Sequence, residues 1–138
     1  MDFFKNFSTD PKLEIEGVES DFGGGVTLVI ARAHNPRYTR MITSQLEVYK
    51  HTLEARDTDE QIAASDDRSD KIMADVMSKS VLLGWTGPVE YKGQPLPYSV
   101  ENARALLEVK DFRAWVSSKA DSYKNFLLKT IEEDEKNL

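Results

Sequence analysis

Apolar and polar positions follow three different periods along this chain. Leu13 and Ile15 alternate with Glu14 and Glu16, and beyond the Gly23-Gly24-Gly25 run the segment Val26-Thr27-Leu28-Val29-Ile30 alternates again. Period-two runs flanking a glycine cluster predict a β-hairpin, with the glycines supplying the positive φ angles of a tight turn. Val26, Leu28 and Ile30 then share one face. Asn35-Pro36 marks a helix start, since Asn is a favoured N-cap and Pro suits the first helical position. Tyr38, Met41, Ile42, Leu46, Tyr49 and Leu53 follow at steps of three, four or seven, an apolar stripe on a helix reaching about Ala55. Glu47 with His51, and Lys50 with Glu54, stand at the spacing of surface ion pairs.

A second helix is expected from Thr58 and Gln61, which have the spacing of a capping box. Its apolar positions are Ile62, Ile72, Met73, Val76, Met77 and Val81, with Ala64 to Asp70 exposed or frayed, and it stops near Gly84 and Gly87-Pro88. Pro95 and Pro97 forbid a helix between Val89 and Tyr98 and suit an ordered loop or small hairpin. Ser99 can cap a short helix through about Glu108, with Ala103, Leu106 and Leu107 inward. From an Asp111 cap, Phe112, Trp115, Val116, Tyr123, Phe126, Leu127 and Ile131 lie on one stripe. Burying each large side chain of that kind contributes about 1.5–3 kcal/mol, so the stripe is either core or partner surface. The expected fold is mainly α: a helical domain with an N-terminal β-hairpin (α+β). It is organised as one domain over 1–138, with a flexible 1–11, the hairpin at 12–33, a helical body at 34–131 and a frayed acidic tail at 132–138.

Composition narrows the function. The chain has 138 residues, no cysteine and a formal charge of -6, from 24 acidic and 18 basic side chains. Disulfides, thiol catalysis and Cys-based zinc sites are excluded. An acidic balance argues against nucleic acid as partner, because phosphate binding rests on Lys and Arg displacing counterions. Apolar runs such as Val81-Leu82-Leu83 are far shorter than the ~20 residues of a membrane span, and the first ten residues lack the pattern of a signal peptide.

Catalytic, cofactor-binding and metal sites find no candidates. His34 and His51 stand 17 positions apart with no shared carboxylate at ligand spacing. A calcium loop counted from Asp57 puts Ile62 and Arg68 where Gly and Glu are needed, and one counted from Asp66 puts Lys71 and Met77 there. These acids read as caps and a solvated face. The triple glycine lacks the Lys-Ser/Thr of a phosphate loop. Arg32, Arg37 and Arg40 form a small basic cluster that reads as a salt-bridged surface.

One string is informative as a whole. Val81 to Val116 contains V-L-L-G-W-T-G, then Q-P-L-P-Y-S-V-E-N-A-R-A-L-L, then D-F-R-A-W-V, and upstream stands I-A-R-A-H-N-P-R-Y at Ile30 to Tyr38. In order and spacing this resembles the tail assembly chaperones of long-tailed bacteriophages (siphophages), over about Leu13 to Phe126; the longer loop at Pro88 to Lys92 and the charged tail depart from the pattern. The resemblance implies a non-enzymatic short form that binds the phage tape measure protein, keeps it soluble and assists tail tube polymerisation. A longer form, made by translational frameshift, would contact the tail tube protein. It also implies action in the host cytoplasm and absence from the mature virion. The competing class is a head–tail joining or tail completion protein of the virion. Partner contacts are expected at Phe112, Trp115, Tyr123, Phe126 and Leu127, and self-association into a homo-oligomer is open.

Overall fold

A computed structural model describes residues 1–50 and 55–129. The chain opens with two short helices, α1 (Phe3–Phe7) and α2 (Pro11–Glu16). The Asp2 carboxylate accepts from the Phe4 and Lys5 amides, and the Asp10 carboxylate accepts from Lys12 N at 2.9 Å. This corrects the hairpin's expected start at Lys12. Asp10-Pro11 is a helix start of the same kind as Asn35-Pro36, and two alternations of Leu and Ile are too few to outweigh it. Strand β1 (Val18–Gly23) begins only after Gly17. Gly17 sits at φ +88°, and a Cβ there would stand 3.0 Å from Val29 Cγ1 and 3.1 Å from the Ile30 carbonyl carbon.

β1 pairs antiparallel with β2 (Val26–Ile30), with Val18 opposite Ile30 and Ser20 opposite Leu28. Gly23, Gly24 and Gly25 all take positive φ through the turn, as expected. Leu28 and Ile30 are buried and Val26 packs on the same core.

Helix α3 (Pro36–Lys50) begins where Asn35 caps it. The expected contributions of Leu53 and Ile131, the Glu47–His51 and Lys50–Glu54 pairs, and the acidic tail involve positions outside the described residues. Helix α4 (Asp59–Ser80) carries both halves of the capping box: Thr58 Oγ1 accepts from Gln61 N and Gln61 Oε1 accepts from Thr58 N, each at 3.1 Å. Its middle is solvent-facing yet fully helical, tied at Ser65 by Arg56, whose Nη1 donates to Ser65 Oγ at 2.6 Å.

α4 does not reach Gly84. It ends at Ser80, and Leu82–Thr86 forms β3, a third strand against β2. Leu28 lies opposite Trp85 and Val29 opposite Gly84, with a bulge between Val29 and Ile30. A short apolar run such as Val81-Leu82-Leu83 suits a buried helix end or a strand equally well, and only a partner distant in sequence decides. The sheet is thus three-stranded, in the order β1-β2-β3. The proline segment forms a second small hairpin, β4 (Glu90–Tyr91) with β5 (Gln94–Pro95).

Helix α5 (Val100–Leu107) starts at the Ser99 cap, whose Oγ accepts from Asn102 N at 3.0 Å. Helix α6 (Lys110–Asp121) starts two residues earlier than expected: Val109 is its cap, without a side-chain bond, and Asp111 sits in the first turn. The helix also stops early, at Asp121; after Ser122 the chain turns into a 3-10 helix, Tyr123–Phe126. The single long stripe is therefore broken. Beyond it the chain closes against its own beginning: Asp10 N donates to Phe126 O at 2.8 Å and Leu128 N to Ser8 O at 3.0 Å.

The result is α+β, mainly helical, with the sheet packed on α4 and α6 and with α5 packed against both helices. Leu28, Ile30, Met77, Leu82, Trp85, Leu107 and Val116 form the centre of the core. Among the described residues, no helix is long and apolar enough to cross a membrane.

Candidate partner-binding groove

Strand β1 carries an exposed aromatic residue beside the glycine turn. Phe22, between Asp21 and Gly23, is 47% exposed. Its ring meets Trp115 edge-on at 4.8 Å and Phe112 at 6.0 Å. These contacts brace the hairpin tip against α6 and form one side of an open groove of about 380 Å³. Val26, Leu28 and Trp85 of the sheet line it, with Pro88, Val89 and Tyr91 from the proline segment and Leu106, Val109 and Phe112 from the helices. Glu90 is the one charged side chain in that lining. Val109 is 43% exposed.

Trp85 and the proline segment hold each other in place. Trp85 Nε1 donates to Leu96 O at 3.0 Å, and Tyr98 packs perpendicular to the indole with ring centres 5.0 Å apart. Tyr98 OH in turn reaches Leu82 O at 3.5 Å, and burial pushes its pKa above the ordinary value. The turn after β3 presses on the glycine turn: a Cβ on Gly87 would stand 2.1 Å from Gly25 O.

The five residues expected to contact a partner divide between two places. Phe112 lines the groove, and Trp115 meets the rim residue Phe22 without lining it, with Lys119 Nζ 5.3 Å from its ring centre. Tyr123, Phe126 and Leu127 belong to the closing turn. Tyr123 packs at a tilt against Phe7 with ring centres 5.0 Å apart, Phe126 is fully buried, and Leu127 bridges to Thr9. Phe126 is thus core. Sequence reasoning missed Phe22, Val89, Leu106 and Val109. Of these only Phe22 left a signal, as an aromatic beside the glycine run.

The charged residues form ordinary surface pairs. Arg32 Nη1 pairs with Glu14 at 3.4 Å, and Asp70 takes Arg113 at 2.6 Å and Lys110 at 3.6 Å. Asp66 pairs with Arg56 and Asp67 with Lys71. His34, at φ +61°, is exposed with its ring against Tyr38. Burial, and secondarily the charge of Asp121, raise the Tyr38 pKa. Among the described residues, no group of three or more His, Asp or Glu side chains is placed to hold a metal ion.

The residues that carry the family resemblance are joints of the scaffold. Asn35, 4% exposed, donates from Nδ2 to Arg32 O and to Ser80 O, both at 2.8 Å, and accepts from Tyr38 N at 3.0 Å. It therefore caps α3 and fastens it to the end of α4. Asn102 Nδ2 donates to Pro97 O at 2.8 Å, and Arg113 Nη1 donates to Leu107 O at 3.0 Å.

Residues 33–137 match the family described as YdaY prophage protein, so the chain belongs to that family and is of phage origin. The match starts just past β2 and leaves the hairpin outside it. No curated protein and no solved structure matches this chain.

Proposed function

We propose that this phage protein is a tail assembly chaperone that holds the tape measure protein until tail tube subunits close around it. The carrying observation is the open groove lined by Phe22, Val109 and Phe112, which leaves Phe22 and Val109 exposed to water. Exposed apolar surface of that kind is costly unless it is used, and grooves of this type receive the apolar face of another helix. The family's phage origin supports the reading, as does the ordered string from Val81 to Val116. The protein works by binding, without catalysis or cofactor, in the host cytoplasm. Contact with the tail tube protein falls to a longer frameshifted form.

Co-expression with the tape measure protein of the same phage tests this. The expected result is a soluble complex on a sizing column, lost in a Phe112→Ala/Trp115→Ala variant that keeps its helical circular dichroism. A tape measure protein that stays insoluble with the parent chain ends the proposal. So does stoichiometric presence of the chain in purified virions.

A further inference from the structure

The rim of the groove has a sign. Glu90 lines it, and Glu108 immediately precedes lining residue Val109. Among the described residues neither carboxylate has a salt-bridge partner, while the cations near them are engaged within the chain. Lys110 and Arg113 pair with Asp70, Lys92 lies over the Tyr91 ring at 5.2 Å, and Lys119 lies over Trp115. Asp111 has a local reason to be acidic, in the first turn of α6. Glu90, in β4, has none of that kind.

The groove, open along one side and about 380 Å³ in volume, takes side chains from a helix lying across its mouth. We infer that the groove selects an amphipathic helix whose apolar stripe is flanked by lysine or arginine. Its apolar side chains enter between Phe22 and Val109, and its cations meet Glu90 and Glu108. This deepens the chaperone reading and rests on it, since it names which segments of a long helical partner the groove would hold.

The test uses the intact chain and two synthetic peptides of about 18 residues with leucines at helical spacing, one with lysine and one with glutamate elsewhere. Both tryptophans, Trp85 and Trp115, touch the groove or its rim aromatics, so their emission reports occupancy. At low salt the lysine peptide binds about tenfold more tightly than the glutamate peptide, from two rim pairs of ordinary surface strength. Glu90→Lys with Glu108→Lys, both exposed sites, brings the two peptides within about twofold. Val109→Ser weakens the lysine peptide about threefold or more while installing a better helix cap, so folding is kept.

Equal binding of the two peptides, or a preference that survives the double charge variant, overturns the inference. Lysine-peptide binding untouched by Val109→Ser also overturns it, because the peptide is then held by general acidic surface. The two readings fail separately. Tape measure capture without a charge preference leaves the chaperone standing alone. A charge preference without capture leaves a basic-helix groove on a protein that is no tape measure chaperone.

Discussion

Replacing Asn35 tests the idea that one buried amide fastens the helical layer together. Three hydrogen bonds leave this side chain: two donated to Arg32 O and Ser80 O, and one accepted from Tyr38 N. In Asn35→Ala the cap on α3 is lost, worth about 1 kcal/mol. The Ser80 carbonyl, at the buried C-terminal end of α4, loses the Asn35 donor, worth about 1–2 kcal/mol, and the Arg32 carbonyl adds a smaller share. The expected destabilisation is about 3 kcal/mol, a large part of the ~5–15 kcal/mol typical of a domain. Urea unfolding followed by tryptophan emission measures it, with the slope unchanged and the midpoint lowered. Asn35→Asp separates the two roles. The carboxylate keeps the cap and suits the helix dipole, yet it brings negative oxygens to carbonyls 2.8 Å away. At neutral pH it is therefore as damaging as alanine, with partial recovery in acid, where a protonated carboxyl donates one bond again. An Asn35→Asp variant within about 0.5 kcal/mol of the parent at pH 7 refutes the joint and leaves only a helix cap.

Other consequences follow from the same geometry. Phe126→Ala removes a fully buried ring and costs about 3–5 kcal/mol by urea unfolding. Phe22→Ala, at a half-exposed site with two edge-on ring contacts, costs about 1–2 kcal/mol and shows instead as lost partner binding. Gly87→Ala forces a Cβ against Gly25 O at 2.1 Å from a backbone at φ +102° and destabilises by about 3 kcal/mol or more; Gly24→Ala, with open space around it, costs only about 1 kcal/mol. The raised pKa of Tyr38 gives a pH signature. The folded state resists deprotonation, so this group's contribution is fully present below the unfolded value of 10.0 and is lost as pH rises through the folded value. Tyr38→Phe flattens that alkaline fall, read as urea midpoints across the alkaline range.

Local signals were legible in the sequence; remote ones were not. The Thr58–Gln61 box, the Ser99 and Asn35 caps and the glycine turn each act within four residues, and each stands where its residue types put it. β3 was misread because its deciding partner, β2, lies about fifty residues upstream. The break after Asp121 left no mark because no Gly or Pro makes it. The helix ends where Ala120 O accepts from Ala33 N at 3.0 Å and the chain is drawn to Asp10, both tertiary contacts. The spacing of Tyr123, Phe126 and Leu127 passed for α-helix because a 3-10 turn also repeats at three. The groove was half legible, through Phe112 and Trp115. Its opposite side comes from a hairpin tip and a proline segment, which no period connects.

The string that carries the resemblance and the groove that would carry the binding lie on largely different residues. Asn35, Tyr98, Asn102 and Arg113 spend their polar atoms on backbone carbonyls or carboxylates of neighbouring segments. Phe22, Val89 and Val109 make no side-chain hydrogen bonds, border the groove, and stand outside those joints. Trp85, Leu106 and Phe112 belong to both, Trp85 bonding Leu96 O on one edge and lining the groove with its ring. Such a division lets the joints fix a scaffold while the groove lining changes with its occupant. Exchanging Phe22, Val89 and Val109 for other apolar residues should then alter which helix is held and move urea stability by less than about 2 kcal/mol, since none of the three is fully buried. A triple exchange that unfolds the chain would show the groove to be core in disguise, and the separation of scaffold from specificity would be lost.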